Sequence, residues 1–352
     1  MSWEDYSAEQ NKKNPFENHA CGFRQGKEYQ IIMEKTEIPV IDVIIPAYRP
    51  DDSFHKLIRL LLEQSVKPHH IYVLQTIEDG EQVLQPLDQR MSVHPVPKKE
   101  FDHGATRDYG AGLAVKDIGD DISQHYILFM TQDAVPAGTE LLERLVKPFG
   151  DDRTAITYAR QLAREEADLL ERLTRVHNYP PEDQVKSKED LERLGIKTYF
   201  CSDVCAMYRL DRYMEQGGFV HPTIFNEDMI MASRMIQAGY QVVYCGSAEV
   251  YHSHNYSCMQ QFHRNFDLGV SQKQYREVFE SISSEKEGAG YAKSTLLYLL
   301  KRGKPGKAFY FALQCGFKLI GYKLGKNYDH LPRKMVLWCT MTPGYVLFHQ
   351  DD

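Results

Sequence analysis

Short apolar runs alternate with helix-like stretches over the first half of the chain, and this alternation limits the possible folds more than any other feature. VIDVII begins at Val40, HIYVL covers 70–74 and YILFM covers 126–130, and amphipathic segments follow the first and third of these runs. Short apolar runs separated by helical patterns predict strands that alternate with helices. We therefore expect an α/β fold with a mainly parallel sheet and helices on both faces.

Polar loops follow the predicted strands at their carboxyl ends. PAYRP follows the first strand, QTIEDG the second, KKEFDHGATR the run SVHPV, and TQDAVP the fourth. In open α/β sheets, ligands bind in the crevice beyond the carboxyl ends of the strands. These loops therefore predict one site that combines carboxylate, imidazole, guanidinium and hydroxyl groups.

A metal site is suggested by one acid and two histidines. Asp133 follows the strand YILFM, and a hard divalent cation that bridges a diphosphate needs such an oxygen ligand. His252 and His254 follow another apolar run and would supply a nitrogen ligand suited to manganese. The alternatives are an aspartate that caps the next turn and histidines that pack in the structure.

Charged residues lie at two predicted helix starts. Glu227 and Asp228 open the helical segment FNEDMIMASRMIQAG, where acids stabilise the helix dipole, but a carboxylate there can also act as a general base. Arg107 lies just after a helix start near Gly104, and a guanidinium beside a helix N-terminus suits a phosphate group.

Several function classes lack their usual signatures. The chain contains no GxxxxGK[ST] loop, no GxGxxG after a strand and no GxSxG elbow, which disfavours ATP hydrolysis, nicotinamide binding and serine hydrolysis. A net charge of −7 disfavours a nucleic-acid partner. The seven cysteines are scattered, no secretory signal is visible, and no apolar run is long enough to span a bilayer. We expect a cytoplasmic protein.

The chain divides by composition into three parts. Residues 1–38 are polar and predict a leader or strap, residues 39–262 a catalytic domain, and residues 263–352 a helical, basic region. Between Tyr291 and Pro343 there are ten Lys or Arg residues and a single acid, Asp329. Such a segment either associates peripherally with an anionic membrane surface, here the inner face of the plasma membrane, or forms a solvated helical hairpin on the catalytic domain.

The ordered motifs VIIPAYRP, FDHGATRD, FMTQDAVP, FNEDMIMASRMIQAGY and VYHSHNYS resemble glycosyltransferase family 2, the inverting GT-A enzymes, and most closely its bacterial rhamnosyltransferase branch. The resemblance covers residues 40–267. It implies a nucleotide-diphospho-sugar transferase fold and Mn²⁺ or Mg²⁺ as cofactor. It also implies a nucleotide-sugar donor, with dTDP-β-L-rhamnose favoured, and a saccharide acceptor, carried on a lipid, in cell-surface polysaccharide synthesis.

The resemblance also assigns roles to positions of this chain. Asp228 matches the catalytic base with Glu227 as its neighbour, Asp133 matches the metal-binding acid, and His252 matches a further metal or diphosphate contact with His254 as the alternative. The nucleotide-sugar site would comprise Pro46, Ala47, Tyr48, Gln75, Thr76, Asp102, His103, Gly104, Arg107 and Gln132.

Two positions depart from the family pattern. Gln75 and Thr76 stand where the family has acids after the second strand, and Gln132 replaces the first acid of the metal motif. The first departure leaves open which nucleotide base is recognised. The second lowers the negative charge around the metal ion. Three other hypotheses remain open: a transferase of UDP-hexoses, a non-catalytic scaffold that binds nucleotide sugars, and a nucleotidyltransferase. The sequence lacks the Gly-rich basic opening loop of nucleotidyltransferases.

Overall fold

The computed structural model of the chain describes residues 39–118, 122, 124–280 and 285–348. The predicted leader, 1–38, lies outside the described residues. Within them, one sheet contains the strands β1 Val40–Tyr48, β2 His70–Ile77, β3 Met91–Pro97, β4 His125–Met130, β5 Val135–Pro136, β6 Thr154–Leu162, β7 Gln184–Lys186, β8 Cys205–Arg209 and β9 Gln241–Tyr251.

The sheet is mixed. Its order is β3-β2-β1-β4-β8-β6-β9-β5, and β7 pairs with β9 outside this path. Strands β3, β2, β1 and β4 run parallel, as do β6 and β9, whereas β8 lies antiparallel between β4 and β6. The predicted mainly parallel sheet is therefore confirmed, with one antiparallel strand inserted at its centre.

The helices follow the strands in the predicted alternation and then accumulate at the C-terminus. They are α1 Asp52–Leu62, α2 His103–Ile118, α3 Leu141–Val146, α4 Leu169–Asn178, α5 Leu191–Leu194, α6 Leu210–Glu215, α7 Glu227–Gln237, α8 Cys258–Gln274, α9 Arg276–Phe279, α10 Glu285–Lys301, α11 Pro305–Gly325, α12 Arg333–Cys339 and α13 Pro343–Phe348. Five short 3₁₀ turns connect described elements, at Lys98–Glu100, Lys147–Gly150, Lys188–Asp190, Gly195–Tyr199 and Tyr328–His330.

Strand β1 is buried on both faces because helices cover both sides of the sheet. Val43 and Ile45 pack with Leu57 of α1, whereas Ile44 points to the other face and packs with Ala114 of α2. Successive side chains of a strand point to opposite faces, so a strand covered on both sides reads as the continuous apolar run seen in the sequence. This two-sided burial fixes the carboxyl end of β1, where the polar loops begin.

Local residues mark the ends of two helices next to the site. Asp51 caps α1, because its side chain accepts hydrogen bonds from the backbone nitrogens of Ser53 at 2.9 Å and Phe54 at 3.3 Å. Gly239 follows α7 with φ +95°, a left-handed conformation that glycine adopts without strain. The segment FNEDMIMASRMIQAG therefore forms its helix from Glu227 onward, with Asp228 in the first turn.

The C-terminal helices pack on the same body as the sheet. The described part of residues 39–352 forms one compact unit, and α8 runs continuously across the predicted domain boundary between 262 and 263. Phe262 and Phe266 of α8 share a core cluster with Val336 of α12 and Val346 of α13. Among the described helices, none is both long and apolar enough to cross a bilayer.

Candidate active site

A cavity of about 280 Å³ opens at the carboxyl edge of the sheet, where the sequence predicts the site. Its lining includes Pro46, Ala47, Tyr48, Thr76, His103, Arg107 and Gln132 from the predicted nucleotide-sugar set, and most of the lining surface is apolar. The carboxyl ends of β1 and β2, the loop after β4 and the start of α2 meet there. The segments PAYRP and QTIEDG were expected as loops, but β1 continues through Tyr48 and β2 through Ile77, because both stay paired in the sheet. An apolar cavity with a few polar groups is typical of a small-molecule site.

Gln132 joins the loop after β4 to the carboxyl end of β1 through its side-chain amide. Its Oε1 accepts a hydrogen bond from the backbone nitrogen of Tyr48 at 2.8 Å, and its Nε2 donates to the backbone oxygen of Tyr48 at 3.0 Å. A carboxylate at this position would lack the donor for the second bond. Gln132 therefore holds the loop after β1 against the loop after β4.

An acid that the sequence reasoning missed lies beside Tyr48. Glu78 accepts hydrogen bonds from the Tyr48 hydroxyl at 2.6 Å and from Lys98 Nζ at 2.5 Å. The hydrogen bonds from Lys98 and Tyr48 lower the pKa of Glu78 to about 2. The side chain of Gln75, by contrast, is occupied by Leu84 N at 2.7 Å and Gln82 O at 3.1 Å.

Two further predicted residues hold the structure around the cavity. Asp102 accepts hydrogen bonds from the backbone nitrogens of Ala105 at 2.8 Å and Thr223 at 2.7 Å, so both of its carboxylate oxygens are engaged by backbone. A Cβ at Gly104 would lie 2.2 Å from the backbone oxygen of Val220, so this glycine permits close packing. Neither residue lines the cavity described above.

Asp133, His252 and His254 come together in space, and their ligand atoms all lie within 4.8 Å of one another. Asp133 Oδ2 is 3.6 Å from His252 Nε2 and 3.3 Å from His254 Nε2, and the two Nε2 atoms are 3.1 Å apart. One carboxylate oxygen and two imidazole nitrogens converging on one point fit a divalent transition cation such as Mn²⁺.

A second layer of contacts orients this cluster. His252 Nδ1 is hydrogen-bonded to Gln161 Oε1 at 2.9 Å. Because an amide oxygen can only accept, the His252 proton lies on Nδ1. The Nε2 atom of His252 therefore faces Asp133 with a lone pair. Desolvation by burial lowers the pKa of His252 well below its usual value, and it also lowers that of His254 against the opposing effect of Asp133. Arg164 donates to the backbone oxygen of Asp133.

Arg107 lies at the centre of a buried acidic cluster. Its Nη1 is 3.0 Å from Glu227 Oε1, and its Nε is 3.6 Å from Asp203 Oδ2. Tyr208 also donates to Asp203, at 2.7 Å. Because Arg107 lines the cavity as well, its guanidinium connects the cavity to the acids of α7.

Asp228 is held beside this cluster by backbone groups. Its Oδ1 accepts from its neighbour Met229 N at 2.7 Å, and its Oδ2 accepts from Asp203 N at 3.3 Å. Desolvation by burial, with the nearby charge of Glu227, raises the pKa of Asp228 to about 7. A carboxyl with a pKa near neutrality is suited to accept a proton in a reaction at physiological pH.

Asp203 and Arg264 are the other site residues that the sequence reasoning missed. Asp203 lies in the run CSDVCAMYR just before β8, and only the antiparallel insertion of β8 brings it beside α7. Arg264 of α8 lies 4.7 Å from the ring centroid of Phe225, and its charge contributes, after burial, to the lowered pKa of His103. In the sequence, the only signs of these two residues were that Asp203 is an acid between apolar runs and that Arg264 is an arginine on a later helix.

Most of the predicted residues thus lie around one crevice, whereas Gln75, Asp102 and Gly104 have structural roles beside it. Gln132 lines the cavity and is followed directly by Asp133, while Arg107 lines the same cavity and contacts Glu227, the neighbour of Asp228. The arrangement combines an apolar cavity, a set of candidate metal ligands and a partly buried carboxyl, Asp228, of raised pKa. Chemically, it is suited to bind a charged ligand and to accept a proton next to it.

Comparison with protein families matches residues 42–215 to Glycosyl transferase family 2. The O-antigen chain rhamnosyltransferase RfbN of Salmonella typhimurium is 36% identical over 315 residues, which cover 87% of this chain and 95% of that protein. The O-antigen chain rhamnosyltransferase WbaN of Salmonella anatum is 33% identical over 319 residues, which cover 88% and 96%.

Among solved structures, the mannosyltransferase PcManGT from Pyrobaculum calidifontis, in complex with GDP-Man and Mn²⁺, has a TM-score of 0.52 and 12% sequence identity. The match covers 84% of this chain and 89% of that chain. At this level of identity the likeness concerns the fold alone. It agrees with the fold class expected from the sequence.

Proposed function

The chain belongs to glycosyl transferase family 2 and is a glycosyltransferase, and from that premise we propose that it transfers L-rhamnose from dTDP-β-L-rhamnose to a saccharide acceptor with inversion at the sugar carbon. The name of both curated relatives, O-antigen chain rhamnosyltransferase, supports the sugar and a growing polysaccharide as product. The observation that carries the chemistry is Asp228, a partly buried carboxyl beside the Arg107 cluster, whose pKa is raised to about 7.

The donor nucleoside would occupy the cavity at the carboxyl edge of the sheet. Its apolar lining suits a planar base, and Tyr48, the last residue of β1, is part of that lining. The hydroxyls of Thr76 and Thr131 are buried in the described structure without a hydrogen-bond partner, so both are available to a ligand. Thr76, a neutral hydroxyl where the family has an acid, fits recognition of the nucleotide base by uncharged hydrogen bonds.

The diphosphate would lie between the cavity and the candidate metal ligands. A divalent cation held by Asp133, His252 and His254 would neutralise charge on the departing diphosphate. Gln161 fixes the His252 tautomer for this purpose, and Arg107 adds a fixed positive charge at the cavity wall. Arg107 is already paired with Glu227. Part of its role would therefore be to hold the acids at the start of α7 in place.

Asp228 would act as the general base. It removes the proton from an acceptor hydroxyl while that oxygen attacks the anomeric carbon of the donor. The bond from the anomeric carbon to the phosphate oxygen breaks, and its electron pair leaves with the nucleoside diphosphate. Attack from the face opposite the leaving group turns a β-linked donor into an α-rhamnoside. A pKa of about 7 keeps much of Asp228 ionised at neutral pH.

A donor panel tests this proposal. The protein would be incubated with Mn²⁺ or Mg²⁺, a saccharide acceptor and dTDP-rhamnose, UDP-glucose, UDP-galactose or a UDP-N-acetylhexosamine, and released nucleoside diphosphate would be measured. We expect turnover with dTDP-rhamnose and an α-configured product by NMR. Turnover only with a UDP-hexose would assign the alternative donor, and binding without turnover would favour the scaffold alternative.

The acceptor and the location of the protein are parts of the same proposal. We infer a saccharide acceptor that is carried on a lipid, and a protein that works at the cytoplasmic face of the plasma membrane. The basic C-terminal segment supports this placement, because it contains ten Lys or Arg residues and a single acid between Tyr291 and Pro343.

A further inference from the structure

Helix α11 packs unusually closely on α8 through glycines. A Cβ at Gly321 would lie 2.2 Å from the backbone oxygen of Phe262, and a Cβ at Gly325 would lie 2.1 Å from that of Phe266. At both positions glycine lets the two backbones approach closely. One face of α11 is therefore sealed against α8, and its opposite face points away from the body of the protein.

The outer face of α11 is apolar and exposed. Phe309 is 69% exposed, Leu313 41% and Ile320 55%. Their spacing, four and then seven residues, places them on one stripe of the helix. On α10, the helix that packs beside α11, Leu297 and Leu300 are exposed as well. We define the outer face of α10 and α11 by these five residues.

Cations surround this outer face, and acids are absent from the sequence around it. Residues 288–328 contain no Asp or Glu. Lys301, Lys304 and Lys307 are exposed at the turn between the two helices, and Lys323 is exposed near the end of α11. A second copy of the chain would bring the same cations together and be repelled, whereas an anionic surface would be attracted.

The inner face of α11 reaches the loop that carries the histidines. Gln314 Nε2 donates to the backbone oxygen of Tyr256 at 3.1 Å, and the Tyr256 ring stacks on His254 with 5.2 Å between ring centroids. Only the thickness of one helix, about 10 Å, then separates the outer face from this loop. A surface bound to the outer face would lie close to the crevice.

We propose that the outer face of α10 and α11 docks on an anionic lipid bilayer, with the apolar stripe inserted among the headgroups and the lysines over their phosphates. Docking in this orientation holds the histidine loop near the bilayer surface. An acceptor carried on a lipid could then enter the crevice without leaving the membrane, and this last step rests on the proposed function.

Vesicle flotation tests the docking. We expect the full chain to float with vesicles of phosphatidylcholine and phosphatidylglycerol but not with phosphatidylcholine alone, and to be released by added salt. The double variant Phe309→Ser, Ile320→Ser should lower the bound fraction about tenfold. The matched control is Leu87→Ser, Val185→Ser, at positions that are 46% and 52% exposed but lie outside the outer face, and it should bind like wild type.

Three outcomes would overturn the proposal. In the first, the wild type stays in the soluble fraction equally with both vesicle types. In the second, the double variant binds vesicles as well as the wild type does. In the third, the wild type is a dimer and the double variant is a monomer. Transfer to a soluble acceptor without vesicles separates the two proposals. The double variant should keep that activity, whereas a wild type that floats but transfers no sugar would remove the proposed function and leave the docking intact.

Discussion

Arg107 Nη1 lies 3.0 Å from Glu227 Oε1, although 120 residues separate the two positions in the chain. Both side chains are almost fully buried, and the second acid beside Arg107, Asp203, is buried as well. A single guanidinium therefore compensates acids from two different elements, the start of α7 and the segment before β8. This contact places the helix that carries Asp228 against the wall of the cavity.

Removal of the Arg107 charge should destabilise the protein and change its pH dependence. Arg107→Met leaves Glu227 and Asp203 buried without their cation, which typically costs about 3 to 5 kcal/mol. The lost positive charge should also raise the pKa of Asp228 further and move the acidic limb of the activity profile to higher pH. Urea unfolding and a kcat profile against pH measure both effects.

Arg153→Met is the matched control for this variant. Arg153 pairs with Asp151 at 2.8 Å, but its side chain is 67% exposed, so its loss should cost less than about 1 kcal/mol. Equal stability losses in the two variants would contradict the central position of Arg107.

Replacement of Gln132 by glutamate should weaken donor binding more than it slows turnover. Gln132→Glu loses the donor to Tyr48 O and places a carboxylate oxygen near that carbonyl, so the loop after β1 should loosen. We expect KM for the donor to rise about tenfold with a smaller change in kcat. Gln85→Glu, at an exposed position, is the control. An unchanged KM would show that the two hydrogen bonds do not shape the donor site.

Variants of the metal cluster should lose Mn²⁺ binding to different degrees. Asp133→Ala should abolish Mn²⁺ binding in titration calorimetry, because it removes the only carboxylate of the cluster. Gln161→Leu should weaken binding by about 10- to 100-fold, since it removes the group that orients His252. Asp152→Ala, whose side chain is 99% exposed, should bind like wild type. Unchanged binding in Asp133→Ala would exclude this cluster as the metal site.

The crossing of α8 and α11 predicts opposite effects for two glycines of one helix. Gly321→Ala would place a Cβ 2.2 Å from Phe262 O and should destabilise the protein by about 1 to 3 kcal/mol. Gly316→Ala meets no atom within 4 Å and should stabilise the helix by about 0.5 to 1 kcal/mol. Thermal unfolding of both variants checks the pair, and equal midpoints would contradict the close crossing.

The sequence was sufficient to locate most of the crevice, because apolar runs and the polar residues at their ends are local signals. The places of Tyr48, Thr76 and Gln132 at the carboxyl ends of strands followed from the apolar runs alone, and they meet at one edge since parallel strands share their direction. The convergence of Asp133 with His252 and His254 was suggested by residue type, and its geometry came only with the fold.

Other features depend on long-range packing that no local pattern contains. Asp203 joins the site because β8 inserts antiparallel between β4 and β6. Asp102 resembled a ligand contact by its position in FDHGATRD, but its oxygens are occupied by Ala105 N and Thr223 N. From the sequence, Gln132 in place of an acid concerned only the charge around the metal, whereas in the structure its amide holds the backbone of Tyr48.

The rate of transfer should depend on the ionisation of Asp228. Its pKa is raised to about 7, so the carboxyl is mostly protonated below that pH and mostly ionised above it. A base must be ionised to accept a proton, so kcat should fall as the pH drops through about 7 and level off at higher pH. Asp228→Asn should lose this acidic limb.

The measurement that tests the account most directly is kcat of Asp228→Asn with saturating dTDP-β-L-rhamnose, next to the dissociation constant of the donor. We predict a fall in kcat of about 10²- to 10⁴-fold with donor affinity unchanged, because the base acts only in the transition state. Transfer by the variant at a rate close to wild type would contradict the assignment of Asp228 as the base.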